Sequence, residues 1–194
     1  TNVDAVFIAF AGANGTRFLK QYREYGVKVP VLASMTAVDE GILKNMGDEA
    51  LGVISTGWYA ATIDSPANKA FVQAVNRDYK ADPGYYTVGA YGAALMLEQA
   101  LRAVGGRIED KDAFMKALRS VTVANDPRGT IKLDEYGNPV MTNFIRKVER
   151  RDGKLVNSVI HANPNVSQFW NYDPKQFLAN PVYTRDYPPA KNLE

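Results

Sequence analysis

Cysteine is absent from this 194-residue chain, and histidine occurs only once, at His161. Without thiols, the sequence cannot form a cysteine nucleophile, a zinc ribbon or an iron–sulfur cluster. A single histidine also excludes a histidine-rich metal centre. No apolar run reaches the length of a membrane span. These absences remove several classes of enzyme and metalloprotein before any motif is considered.

Charge of one sign is not in excess either. Lysine and arginine number 23 against 21 aspartate and glutamate, a formal net charge of +2. This balance argues against a protein that mainly neutralises nucleic-acid phosphates. With 46% hydrophobic residues, the chain has the composition of a soluble globular protein of about one domain. It begins at Thr1 without methionine, and we expect that a leader was removed or that the chain is part of a longer protein.

The first 56 residues alternate between strand and helix patterns. A nearly continuous apolar run at residues 3–10 predicts a strand buried on both faces. Helical spacing follows from Phe18 to Gly26, and further strands are predicted at 30–34 and 51–55. Strands that alternate with helices are typical of a parallel sheet with helices on its faces. The predicted fold class is therefore α/β.

The pattern becomes helical after residue 60. Ser65 and Pro66 predict the start of a helix over 65–80, and apolar residues predict a longer helix over 86–104. Asp110 is the predicted N-cap of another helix. This change from alternation to helices predicts a domain boundary near residue 60.

Strand patterns return from Gly129 onwards. Strands are predicted at 130–133, 140–148 and 155–160, and the Asp152-Gly153 pair predicts a tight hairpin turn. The tail after Ala162 is rich in aromatic residues that we expect to lie against a folded surface. They are Phe169, Trp170, Tyr172, Phe177, Tyr183 and Tyr187.

Two segments are candidates for ligand contact. The small-residue loop AGANGT at 11–16 lies between a strand and a helix, where a ligand can approach the backbone. Its glycine spacing matches neither a dinucleotide fingerprint nor a P-loop. Trp58 and Tyr59 stand where the chain leaves a strand near the predicted boundary, a place where clefts form. Core packing is an equally good interpretation of that pair.

The other charged candidates are interpreted as surface features. His161 has no partner for a hydrolase triad and is expected at the surface. The Asp39-Glu40 and Asp48-Glu49 pairs are expected at solvated helix ends, because adjacent residues point to different faces. The basic residues between Arg146 and Lys154 fit an exposed hairpin, so no nucleic-acid partner is predicted.

The order of these segments resembles a known family. The segments are VDAVFIAFAGANGTRFLKQYREYG, VPVLASMTAVDEGILKNMGDEALGVISTGWY, SPANKAFVQAVNRDYKADPGYYTVGAYGAALMLEQAL and RGTIKLDEYGNPVMTNFIRKVE. In this order they resemble the later half of a type I periplasmic solute-binding protein. More narrowly, they resemble the branched-chain amino-acid (Leu/Ile/Val) receptor family of ABC importers.

The resemblance implies two lobes joined by hinge strands. Residues 1–60 and 128–194 would form the C-terminal lobe, with a parallel, Rossmann-like sheet. Residues 64–124 would supply helices of the N-terminal lobe, whose remainder is absent from this chain. The apolar stripes of helices 65–80 and 86–104 would then pack on the missing N-terminal half or on a second chain.

The resemblance also implies a function. It predicts a periplasmic receptor that closes on a small-molecule solute and presents it to an ABC permease in the membrane. No catalytic residue, cofactor or metal is expected. A ligand-sensing regulatory domain of the same fold is the alternative, and an α/β enzyme is disfavoured because there is no nucleophile elbow, P-loop or pair of catalytic acids.

Family cleft positions fall on several residues of this chain. They are Ala11, Gly12, Met35, Tyr86 and the hinge pair Trp58-Tyr59. With these we group their neighbours Phe10, Asn14 and Ser34 as predicted ligand-binding residues. All nine are proposed to contact the solute.

One departure from the family pattern bears on the solute. Amino-acid binders of this family place an acidic residue after the second strand, where this chain has Ser34, Met35 and Thr36. A buried ammonium without a carboxylate partner would be costly. The tail NVSQFWNYDPKQFLANPVYTRDYPP also resembles a subgroup associated with amide, aromatic-acid or similar solutes. The hypothesis is an aromatic or otherwise weakly polar carboxylate, with an amino-acid-like solute as the alternative.

Overall fold

A computed structural model describes residues 3–184 and residue 186. Within this part of the chain, seven strands form one connected sheet in the order β1-β2-β3-β6-β5-β4, with β7 paired to β6. The strands are β1 (Val6–Ile8), β2 (Val31–Ser34), β3 (Ile54–Gly57), β4 (Thr122–Asp126), β5 (Gly129–Leu133), β6 (Pro139–Arg151) and β7 (Lys154–Val166). The helices are α1 (Ala13–Glu24), α2 (Glu40–Leu43), α3 (Pro66–Tyr79), α4 (Tyr85–Ala103), α5 (Lys111–Ser120) and α6 (Pro174–Leu178).

The parallel part of the sheet is built as the sequence predicts. β1 pairs with β2 and β2 with β3, both in parallel, and β6 continues the sheet antiparallel to β3. A hydrophobic core fills the space between these strands and α1. Its buried members include Ile8, Leu19, Val31, Ala33, Val53 and Val148. The α/β fold class is therefore confirmed.

The prediction that the first strand is buried on both faces is wrong for the described residues. Phe7 is 66% exposed, and its register partner Leu32 is also exposed. The residues on either side of them along the strands, such as Ile8 and Val31, are buried. α1 and the core cover one face, whereas no described helix covers the face that carries Phe7 and Leu32.

Local capping signals predicted the helices correctly. Ser65 Oγ accepts a 3.1 Å hydrogen bond from the Asn68 N–H at the start of α3. Asp110 Oδ1 accepts a 3.0 Å hydrogen bond from the Ala113 N–H at the start of α5. Two smaller cores lie among these helices, one around Tyr59, Phe71 and Val88 and the other around Ala100, Val121 and Val123.

β6 links the parallel strands β1, β2 and β3 to the antiparallel strands β4 and β5. Its first residues pair with β5, and its middle residues, 144–147, pair with β3. β6 and β7 form a long antiparallel ribbon whose turn is Asp152-Gly153, both with positive φ, as the sequence predicts. β4 was not predicted, because the sequence over 122–126 lacks a clear alternation.

The aromatic tail contacts the sheet through one buried side chain. The Phe169 ring is buried and lies 5.4 Å from the Tyr136 ring and 5.6 Å from the Phe177 ring. Trp170, Tyr172 and Tyr183 are exposed. The prediction that the tail lies against the fold is thus confirmed for Phe169 only, and Tyr187 lies outside the described residues. None of the described helices combines the length and apolar character needed to cross a membrane.

Candidate functional site

The ends of β1 and β2 meet at one edge of the sheet. Parallel strands bring their carboxyl ends together, and ligands of α/β proteins bind at this edge. Thr36 Oγ1 donates a 2.9 Å hydrogen bond to the Phe10 carbonyl oxygen and lies 2.9 Å from Ser34 Oγ. The Phe10 ring is partly exposed beside Phe18, with 5.2 Å between ring centroids. Two of the predicted ligand-binding residues, Phe10 and Ser34, are therefore neighbours.

The predicted loop at 11–16 is shorter than expected. α1 begins at Ala13, directly after Gly12, which has φ 56°. Gly15 lies inside the helix, where a Cβ would be 2.8 Å from the Ala37 carbonyl oxygen. The missing side chain at Gly15 therefore allows α1 to pack closely against the turn after β2. It does not make room for a ligand. Ala11 and Asn14 lie exposed at the start of the helix.

Met35 lies beneath the edge of the sheet. Its side chain is buried, and a Cβ on Gly57 would be only 2.5 Å from the Met35 Cβ. The methionine therefore packs against the end of β3. In this conformation it presents little surface, and its contact with a ligand stays a prediction.

Trp58 and Tyr59 point in opposite directions. Trp58 is 37% exposed, and its ring meets Tyr85 edge-on at 5.9 Å. Tyr59 is fully buried, packs against Phe71 and donates a 3.0 Å hydrogen bond to Asn68 Oδ1. Burial raises the pKa of the Tyr59 hydroxyl. The surface interpretation therefore describes Trp58, and the core interpretation describes Tyr59.

Tyr85 and Tyr86 extend the surface that Trp58 begins. Their ring centroids are 4.1 Å apart, and Tyr86 is 78% exposed. Desolvation and the hydrogen bond with Tyr86 raise the pKa of Tyr85 to about 12, so its hydroxyl is neutral at physiological pH. We call Trp58, Tyr85 and Tyr86 the aromatic surface. Trp58 and Tyr86 are among the predicted ligand-binding residues, whereas Tyr85, which joins them, is not.

A fully buried arginine lies behind these residues. Arg146 donates hydrogen bonds to the Tyr59 carbonyl oxygen at 2.7 Å and to Ser55 Oγ at 3.0 Å. A longer bond of 3.4 Å reaches the Met35 carbonyl oxygen. The expectation that Arg146 belongs to an exposed basic hairpin is wrong, because this side chain faces the core between β3 and the segment after it.

Glu40 is the nearest acid to that arginine. Glu40 Oε2 lies 3.8 Å from Arg146 Nη1, and Oε1 accepts a 3.2 Å hydrogen bond from the Ala61 N–H. Oε2 has no hydrogen-bond donor of its own among the described residues. Burial raises the pKa of this carboxyl to about 7, an effect that Arg146 partly offsets. Burial also lowers the pKa of Arg146.

Asp39 completes the buried group. Asp39 Oδ1 accepts a 2.9 Å hydrogen bond from the Tyr85 N–H, and Oδ2 accepts one of 3.0 Å from the Gly41 N–H. Asp39 and Glu40 are only 7% and 9% exposed, so the prediction of solvated helix ends is wrong for this pair. The N–H groups that bond to Asp39 and Glu40 come from Tyr85 and Ala61, which lie at distant positions in the sequence. The sequence around the two acids therefore does not reveal that they are buried.

Trp58, the first residue of the aromatic surface, also lines an open depression of about 230 Å³. Its walls come from Trp58, from the start of β6 and from the residues that follow β7. Thr142, Asn143, Ser167 and Gln168 supply polar groups to it. An aromatic edge with hydroxyl and amide groups beside it suits a small, flat, weakly polar molecule.

The single histidine lies apart from the aromatic surface in the sequence, on β7. His161 is exposed and its Nε2 lies 3.1 Å from Asn163 Oδ1, in accordance with its predicted surface position. Over residues 3–184 and 186, no three acidic or histidine residues are grouped so that they could hold a metal ion.

Known proteins resemble this chain in sequence and in structure. Residues 1–154 match the model of the periplasmic binding protein family. The Leu/Ile/Val-binding protein homolog 6 of Brucella melitensis is 30% identical over 148 residues, which are 73% of this chain and 37% of that protein.

Two solved structures have the same fold at 33% sequence identity. An ABC transporter substrate-binding protein from Sphaerobacter thermophilus superposes with a TM-score of 0.80 over 84% of this chain and 45% of its own. A solute-binding protein of an ABC transporter from Rhodopseudomonas palustris BisB5, in complex with 3,4-dihydroxybenzoic acid, has a TM-score of 0.79 over 89% of this chain and 47% of its own. The chain spans less than half the length of each of these relatives.

Proposed function

Because the chain belongs to the periplasmic binding protein family, among the branched-chain amino-acid receptors of ABC importers, we propose that it forms part of an extracytoplasmic solute receptor. The receptor binds a small molecule between two lobes and delivers it to a membrane permease. It acts by binding alone, without catalysis, cofactor or metal.

The distribution of cores supports the proposed division into lobes. One core involves residues from Ile8 to Val53 together with Val148, and two others involve only residues between Tyr59 and Val123. We assign residues 1–60 and 128–194 to one lobe and 64–124 to the other. The sheet then crosses between the lobes where β4, at the end of the second segment, pairs with β5.

The exposed aromatic surface at the strand ends carries the proposal of an aromatic acid as solute. Trp58 and Tyr86 offer ring faces and edges for stacking on a flat solute. The first turn of α1 has neither a side-chain cap nor an acidic residue, so its N–H groups suit a carboxylate. Gly12 follows β1 and Trp58 follows β3, so the start of α1 and the Trp58 ring both follow the carboxyl ends of strands in the parallel part of the sheet.

The buried acids disfavour an α-amino acid as solute. The carboxylate oxygens of Asp39 are occupied by two backbone N–H groups, and Glu40 is engaged by Ala61 and Arg146. Ser34, Met35 and Thr36 offer no negative charge, so a ligand ammonium would find no free carboxylate here. The Rhodopseudomonas palustris relative, whose structure contains 3,4-dihydroxybenzoic acid, supports the aromatic alternative.

Lobe closure would convert binding into a signal for the permease. A solute that contacts both lobes stabilises the closed arrangement by its differential affinity for that state. Residues from both proposed lobes meet at the aromatic surface, since Trp58 lies at the boundary and Tyr85 begins α4. The solute would therefore be gripped where the lobes join.

Exposed apolar residues on α4 support the proposal that another part of the receptor or a second chain covers this helix. On α4, Tyr91, Leu97 and Leu101 are exposed, although the helix is rich in apolar residues. We propose that the predicted stripes of helices 65–80 and 86–104 are covered by the N-terminal half of the receptor or by a second chain.

Calorimetric titration of the full-length receptor tests the proposed solute class. The panel is 3,4-dihydroxybenzoate, benzoate and leucine at equal concentrations. The proposal predicts saturable binding of one or both aromatic acids and at least tenfold weaker binding of leucine, a difference of about 1.4 kcal/mol. Binding of leucine alone would refute the aromatic assignment, and binding of none of the three would refute the proposed solute classes together.

A further inference from the structure

Helix α4 is capped by a residue from a distant part of the chain. Its N-terminal neighbour Gly84 provides no side-chain hydrogen bond, and its first turn has no acidic residue. Instead, Asp39 Oδ1 accepts the Tyr85 N–H at 2.9 Å, across 46 positions of sequence. A carboxylate at a helix N-terminus satisfies a free N–H group and interacts favourably with the helix dipole.

The backbone is shaped for this contact. A Cβ on Gly84 would lie 2.9 Å from Asp39 Cγ, so a larger residue there would push the carboxylate away. Asp39 is almost fully buried, and its second oxygen is held by the Gly41 N–H. The carboxylate is therefore fixed on one element and bound to another.

The two elements belong to different proposed lobes. Asp39 follows β2, four residues after Met35, whereas Tyr85 begins the helix that carries Tyr86. The Tyr85 ring contacts both Trp58 and Tyr86. Hence this single hydrogen bond ties the β2 end of one lobe to the start of α4 in the other, where Tyr85 and Tyr86 complete the aromatic surface.

We infer that Asp39 is a positioning residue for solute binding, which latches the two lobes together by capping α4 in the arrangement that forms the aromatic surface. This inference rests on the receptor function proposed above. Asp39 does not contact the solute. It acts by holding Tyr85 and Tyr86 in place and by slowing the separation of the lobes.

The test compares Asp39→Asn with Asp110→Asn in the full-length receptor. Both substitutions replace the carboxylate that caps a helix, α4 in one case and α5 in the other. An asparagine in place of Asp39 cannot accept both N–H groups, because its terminal nitrogen is itself a donor. Stopped-flow and calorimetric measurements with 3,4-dihydroxybenzoate should show roughly tenfold weaker binding for Asp39→Asn, the effect of one charge-assisted hydrogen bond, mainly through faster dissociation. Asp110→Asn should keep most of its stability, because asparagine also caps a helix at an exposed position, and it should bind like the wild type.

A second measurement needs no solute. Spin labels on Lys20→Cys in α1 and Lys116→Cys in α5 report the distance between the proposed lobes. The latch predicts a broader distance distribution in Asp39→Asn than in the wild type or in Asp110→Asn. If the wild type bound no aromatic acid, the proposed solute would be wrong, and the label distances would still decide the role of Asp39. Unchanged distances in Asp39→Asn, or wild-type affinity with only a loss of stability, would overturn the inference.

Discussion

The guanidinium of Arg146 donates a 2.7 Å hydrogen bond to the carbonyl oxygen of Tyr59, 87 residues away in the sequence. The same side chain bonds to Ser55 Oγ and faces Glu40. It thereby fixes the backbone immediately after Trp58. A fully buried charge therefore holds the backbone from which the partly exposed Trp58 ring projects.

Replacing this arginine should be costly. Arg146→Met leaves Glu40 buried without its cation and should lower the free energy of unfolding by about 3–5 kcal/mol. The double variant Arg146→Met/Glu40→Gln should be more stable than the single one, because it leaves no uncompensated buried charge. Urea denaturation of both variants measures the difference. Lys147→Met, at the adjacent and much more exposed position, is the control and should change stability by less than about 0.5 kcal/mol.

Glu40 makes stability depend on pH. Its carboxyl has a pKa of about 7 in the folded chain against 4.5 ordinarily. A raised carboxyl pKa gives stability that is fully present below the ordinary pKa and is lost as the pH rises through the folded-state pKa. Relative to Glu40→Gln, the wild type should therefore lose up to about 3 kcal/mol of unfolding free energy between pH 5 and pH 8. Urea titrations at several pH values measure this. The exposed control Glu24→Gln should run parallel to the wild type, and a parallel curve for Glu40→Gln would contradict the assignment.

Gly92 on α4 is required by a buried ion pair. Asp126 and Arg128 form a pair with a 2.7 Å contact, and a Cβ on Gly92 would lie 2.5 Å from Asp126 Oδ2. Gly92→Ala should therefore displace the pair and cost about 1–3 kcal/mol. Gly89→Ala on the same helix meets no described atom within 4 Å and should instead stabilise by about 0.5–1 kcal/mol. Thermal unfolding of the two variants checks the contrast, and equal losses would argue against a specific contact at Gly92.

Local signals in the sequence were sufficient for much of the fold. The caps Ser65 and Asp110 and the Asp152-Gly153 turn were predicted because their partners lie within a few residues. Gly15 was misjudged as a loop residue, since its contact with Ala37 arises only when the helix packs.

The buried charges behind the site could not be read in the same way. In the sequence, Asp39 and Glu40 look like an ordinary acidic start of a helix. Their burial follows only from the fold, in which Tyr85 and Ala61 donate backbone N–H groups to them. Arg146 had one usable signal, the alternation of Phe144, Arg146 and Val148 on one face of β6, all three buried. Because several residues that follow Arg146 are also basic, the segment is interpreted from its sequence as an exposed hairpin despite this alternation. Tyr85 was missed because only the folded chain brings it to Trp58.

If a flat carboxylate binds against Trp58, removal of that ring must weaken binding, and one titration decides this. Calorimetry with 3,4-dihydroxybenzoate is performed on the full-length receptor, on Trp58→Ala and on Trp170→Ala, which removes an exposed tryptophan of the tail. Trp170→Ala should keep the wild-type affinity, whereas Trp58→Ala should bind about tenfold or more weakly, because a stacking partner is removed. Equal affinities in the two variants would contradict binding against Trp58.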